Sequence, residues 1–133
     1  MIQRIQSLYL LLVAIVQFLA LFVLDSWPDR YGSVSSLKEQ PLLMVLLSLS
    51  ALFAIISLLK YRSRKTQFVW NRLNLLIHLT LLALFVIRVF SMTENPQRPL
   101  SLFVPIVSIV LLFLANKAIK KDEELIRSVD RLR

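Results

Sequence analysis

Four apolar blocks separated by polar segments account for most of the chain, at residues 8–24, 42–59, 73–90 and 100–115. The first contains only Gln17 as a strongly polar group, and the second is interrupted only by Ser48, Ser50 and Ser57. The third is the most polar, with Asn74, His78, Thr80 and Arg88, and the fourth carries Ser101, Pro105 and Ser108. About eighteen helical residues rise roughly 27 Å, close to the ~30 Å hydrocarbon thickness of a bilayer. The blocks are continuously apolar instead of alternating, which separates them from membrane strands. A helix also satisfies its own backbone in hydrocarbon. The pattern therefore predicts an all-α membrane protein, a four-transmembrane-helix bundle. Its helices fall at about 7–24, 42–59, 70–90 and 99–116, with helix four extended into a cytoplasmic amphipathic tail helix over 117–133. Pro41 and Pro99 stand at the starts of blocks two and four, where a missing N–H costs nothing. Pro105, inside block four, predicts a bend near the outer end of that helix.

Composition strengthens the membrane reading. Of the 133 residues 57% are apolar and 18% charged, with a mean hydropathy of +0.70. Soluble domains run at roughly 45–50% apolar and about 25% charged. The absence of cysteine removes disulfides and thiolate chemistry, and a lone histidine cannot build a multi-histidine metal site. The net charge of +8 is a matter of topology once its location is considered. Arg4, then Lys60, Arg62, Arg64, Lys65 and Arg72, then Lys117, Lys120, Lys121, Arg127, Arg131 and Arg133 all fall on one predicted side. The other side holds only Arg30, Lys38 and Arg98. Basic residues are retained in the cytoplasm, so both termini are predicted to be cytoplasmic. Block one is preceded by Arg4 but followed by Leu24-Asp25-Ser26-Trp27-Pro28, which offers no small-x-small cleavage site, and reads as an uncleaved helix. Trp27, Tyr31, Tyr61, Phe68 and Trp70 fall near the block boundaries as interfacial anchors.

Inside the membrane blocks, Gln17, Ser50, His78 and Ser108 lie at similar predicted depths and can share one polar layer. Such a layer either forms a polar site or proton relay with His78 as its titrating member, or simply joins helices by hydrogen bonds. No acidic residue occurs in any block, which favours the structural alternative. Arg88, near the outer end of helix three, can snorkel to the headgroups or pair with Asp25 or Glu94. Ser50, Ala54 and Ser57 form a small-residue stripe that permits close helix approach. Without a GxxxG motif the stripe favours packing within the chain, although a second copy stays open as its partner.

The polar ends carry the remaining candidates. Lys60, Arg62, Arg64 and Lys65 form a basic cluster that attracts anionic lipid headgroups at about 1 kcal/mol per residue. Nucleic-acid binding needs a basic surface on a folded soluble unit, and none is predicted. In the tail, Ala118, Leu125, Val129 and Leu132 form an apolar stripe, with Ile119 and Ile126 beside it. Lys117, Lys120, Lys121, Asp122, Glu123, Arg127 and Asp130 flank it with both signs of charge, and Glu123 precedes Arg127 at i, i+4. A mixed-sign border suits protein contact better than lipid binding, or else the stripe folds back on the inner loop.

The opening Met1-Ile2-Gln3-Arg4-Ile5-Gln6-Ser7-Leu8-Tyr9-Leu10-Leu11-Leu12 resembles the start of a Bacteroidota membrane-protein family catalogued as domain of unknown function 4293. The close, from Leu114-Ala115-Asn116-Lys117 to Val129-Asp130-Arg131-Leu132-Arg133, is similar to that family's C-terminal signature, with Val129 where alanine is common. The resemblance spans the whole chain in architecture and implies a bacterial inner-membrane location. It brings no activity with it. The leading expectation is a non-enzymatic accessory or scaffold subunit, presenting the tail helix and basic loop to a membrane or cytoplasmic protein. The alternative is a small transporter or lipid-interacting protein built on the polar layer. No carboxylate pair, metal cluster or phosphate-binding loop points to catalytic residues, a metal or a cofactor.

Overall fold

The computed structural model describes residues 3–24, 27–28, 34–90 and 100–131. Four helices carry the fold: α1 (Gln3–Phe22), α2 (Pro41–Leu59), α3 (Arg64–Phe90) and α4 (Phe103–Arg131). Each is long and apolar enough to cross a membrane. They run up and down in a ring, α1 against α2 and α4, and α3 against α2 and α4. Between α1 and α2 a two-residue antiparallel bridge joins β1 (Trp27–Pro28) to β2 (Val34–Ser35).

The bundle is inverted relative to a water-soluble one. Large apolar side chains face outward on every helix, among them Phe18, Phe22, Val45, Leu76, Ile87 and Phe113. Buried polar and charged side chains are as numerous as buried apolar ones among the described residues. On α2 the buried positions are Leu43, Leu47, Ser50, Ala54 and Ser57. On α3 they are Gln67, Asn71, Asn74, His78, Leu81, Phe85 and Arg88. This alternation of four and three is the seam spacing of helices packed at a shallow left-handed angle.

Several boundaries differ from the sequence expectation. The third helix begins at Arg64 rather than near 70, so half of the basic cluster is helix and only residues 60–63 turn the chain. Ser63 precedes the first turn; its carbonyl accepts from the Gln67 N–H at 2.9 Å, and its hydroxyl meets that of Thr66 at 2.8 Å. Hydropathy misses these turns because their buried face is itself polar. Pro105 lies in the first turn of α4, behind a 3-10 turn at Leu100–Leu102, and not in the helix interior. There its missing N–H is one of the orphan donors of a helix start, so the expected bend is replaced by a helix start. Pro41 occupies the opening turn of α2, in agreement with its predicted place.

Candidate functional site

Polar and apolar layers alternate along the bundle axis. At one end Arg88 of α3 donates to the side-chain carbonyl of Gln40, just before α2. An apolar layer follows, built from Ala20, Leu43, Leu47, Leu81, Phe85 and Val104. The central polar layer comes next, then a second apolar layer of Leu10, Val13, Ala54, Leu112 and Ala115. Beyond it lie Ser57, Asn71 and Gln67, and finally Gln6, Arg64 and Asp122.

The central layer unites all four helices. Gln17 of α1 meets His78 of α3 at 3.1 Å and donates to Ser108 of α4 at 2.9 Å. Ser50 of α2 stands 2.9 Å from the same His78 Nε2 and donates to Asn74 of α3 at 2.7 Å. All five side chains are fully buried. The structure thus places Gln17, Ser50, His78 and Ser108 side by side and adds Asn74. The network closes in two ways. If His78 carries its proton on Nδ1, Nε2 accepts from the Gln17 amide. If the proton is on Nε2, it donates to Ser50, and the Gln17 carbonyl turns towards the ring. In either form His78 Nδ1 has no partner among the described residues, as is true of Asn74 Nδ2 and Asn71 Nδ2.

The next polar layer lies outside the sequence-predicted set. Ser57 donates to Asn71 Oδ1 at 2.6 Å and approaches the Gln67 carbonyl at 3.4 Å. The stripe Ser50, Ala54, Ser57 is therefore the buried face of α2 within this chain, and both serines are hydrogen-bonding groups. The missed signal was the polar seam of α3. In a bundle whose outside is apolar, recurrence of polar groups marks the inside, so Gln67, Asn71, Asn74 and His78 at seam spacing identify the core face.

At the last layer the structure corrects two assignments. Arg64, expected to contact lipid, pairs with Asp122 at 2.9 Å, both side chains being largely shielded. Asp122, expected to face a partner, is buried, and also accepts from the Gln6 amide at 3.4 Å. This three-helix clamp brings the start of α1, the start of α3 and α4 to one end of the bundle. The tail stripe shifts accordingly. Ile119 and Asp122 continue the buried face of α4 after Ser108, Leu112 and Ala115, whereas Leu125 and Val129 are exposed. Seam spacing drawn from the bundle core, and not the apolar positions of the tail alone, sets which side is inward.

The other candidates fall at the surface. Lys60, Arg62, Lys65, Lys117, Lys120 and Lys121 are exposed, and Asp130 is exposed near the end of α4. Glu123 and Arg127 form their expected pair at 3.0 Å. Asp25, proposed as the partner of Arg88, and Leu132 of the tail stripe lie outside the described residues. Among the described residues no group of histidine and acidic side chains is arranged to hold a metal.

A family model described as "Domain of unknown function (DUF4293)" matches residues 2–132. No curated protein and no solved structure matches the chain.

Proposed function

The chain belongs to the DUF4293 family, and from that premise we propose that it is a multi-pass inner-membrane protein acting as a non-enzymatic scaffold or accessory subunit. Its bundle is held by interhelical hydrogen bonds, and it offers the end of α4 to a protein partner on the cytoplasmic side. One observation carries this reading. After Asp122 is clamped by Arg64 and Gln6, α4 continues as helix to Arg131 with Leu125, Ile126 and Val129 exposed beside charges of both signs. A helix with an uncovered apolar edge and a fixed exit direction suits recognition by a groove or a second helix. The charge distribution supports the orientation, because the end holding the clamp also carries Lys60, Arg62, Lys65, Lys120 and Lys121.

The layered core favours this scaffold reading over transport. Helix association in lipid lacks a hydrophobic drive and relies on packing and polar contacts. The central layer serves that need while apolar layers cover it on both sides. The polar atoms of Gln67, Asn71, Asn74 and His78 that have no partner among the described residues support a second reading, in which the core holds a small polar solute.

The test is a truncation after Glu123, which keeps Ile119 and Asp122 in the bundle. Crosslinking in native membranes is expected to capture a protein through full-length α4 and to lose it in the truncation, with insertion unchanged. Capture of the same protein by the truncated chain would refute the scaffold reading. Binding of a small polar solute that the truncated chain retains and that Gln17→Leu with His78→Leu abolishes would favour the second.

A further inference from the structure

On the flank of the clamp, the first turns of α3 and the exposed stretch of α4 enclose an open cleft of about 440 Å³. From α3 come Lys65, Phe68 and Arg72, at a spacing that places them on one helix face. From α4 come Lys120, Glu123, Glu124 and Arg127. The Arg127 charge is met by Glu123 at 3.0 Å. Lys65, Arg72 and Lys120 have no carboxylate partner among the described residues, while Arg64 beside them is taken by Asp122. Arg72 lies over the Phe68 ring with its guanidinium carbon 4.4 Å from the centroid, so the ring holds the cation at the cleft wall.

Position and lining together select the ligand. Arg72 immediately precedes the apolar stretch of α3, and Lys120 lies just beyond that of α4, which is headgroup height in the membrane placement proposed above. About two turns deeper on the same helices Leu79 and Phe113 are exposed, giving an apolar path down from the cations. With Glu123 met by Arg127, the rim sets Lys65, Arg72 and Lys120 against Glu124 alone, and this net positive rim above an apolar wall matches a molecule with a phosphate at one end and hydrocarbon at the other. We propose that this cleft is a binding site for an anionic membrane phospholipid, its phosphate held by Lys65, Arg72 and Lys120 and its acyl chains lying along α3 and α4. This inference rests on the membrane placement but not on the tail's partner.

The test uses full-length protein in neutral detergent, titrated with phosphatidylglycerol or phosphatidylcholine and read by native mass spectrometry. Each cation near a lipid surface contributes about a fivefold factor, so Lys65→Gln, Arg72→Gln and Lys120→Gln together are expected to weaken phosphatidylglycerol about a hundredfold. Lys60→Gln with Arg62→Gln, removing equally exposed cations outside the cleft, is expected to change it less than fivefold. If the triple variant melts early, Lys120→Gln alone is expected to give about a fivefold loss. Equal losses in the cleft and loop variants would overturn the site in favour of diffuse attraction. Equal retention of phosphatidylcholine, or displacement of the lipid by millimolar inorganic phosphate, would overturn the ligand. Carbonate extraction reads membrane placement separately, so a carbonate-resistant protein that binds no lipid refutes the cleft alone.

Discussion

Replacing Gln17 by leucine tests whether the central layer holds the bundle together. The side chain makes two interhelical contacts, to His78 at 3.1 Å and to Ser108 at 2.9 Å, in a site of zero exposure. Interhelical hydrogen bonds in membrane proteins average about 0.6 kcal/mol and reach about 1.7. Two such bonds give a gross loss of about 1.2 kcal/mol, with a ceiling near 3.4. Part of the loss is offset. Gln17 Oε1 is buried without a partner among the described residues, so leucine also removes an unsatisfied acceptor. His78 keeps Ser50, and the Ser108 hydroxyl can turn to a carbonyl of its own helix. The expected net destabilisation of Gln17→Leu is therefore about 1 kcal/mol. A double-mutant cycle with Ser108→Ala isolates the bond itself, with an expected coupling of about 0.6–1.7 kcal/mol. Reversible unfolding of bicelle-reconstituted protein is the assay. A coupling indistinguishable from zero would mean that the central layer does not hold the helices together.

The clamp makes a second prediction. Asp122→Ala leaves Arg64 and the Gln6 amide facing each other without their acceptor, and is expected to destabilise the bundle by about 1–3 kcal/mol, between the values for exposed and buried pairs. It should also increase trypsin cleavage at Arg127. An unchanged cleavage rate would show that the pair does not set the direction of α4. Exchanging the charges, Arg64→Asp with Asp122→Arg, should recover part of the loss in the same assay. Arg88→Leu is expected to cost about 1–2 kcal/mol in thermal unfolding by removing the charged donor to Gln40, and a double-mutant cycle with Gln40→Leu is expected to show a coupling clearly above zero.

Hydropathy makes four helices legible because each block supplies enough apolar length. It fails at the first turns of α3, where Arg64 to Arg72 are mostly polar although Gln67 and Asn71 lie in the core. Depth counting groups Gln17, Ser50, His78 and Ser108 because equal rise along antiparallel helices brings them level. It says nothing about rotation, so Asn74, one turn from His78, is left out. The Arg64–Asp122–Gln6 clamp is illegible for a different reason. It joins three distant stretches through helix packing, and every member has an ordinary surface explanation when read locally.

The pairing inside the α2–α3 hairpin bears on how the chain enters a bilayer. α3 carries Asn74, His78 and Arg88 within its apolar stretch, groups that oppose insertion of an isolated helix. Its predecessor already holds the remedy, since Ser50 meets Asn74 and Ser57 meets Asn71 across a turn of only residues 60–63. Ser50 also stands 2.9 Å from His78, and Gln40 accepts from Arg88, so all three groups meet partners on or just before α2 before α1 or α4 need be in place. In the membrane placement proposed above, the hairpin and not the single helix is therefore the expected unit of insertion, with α1 and α4 closing around His78 from either side.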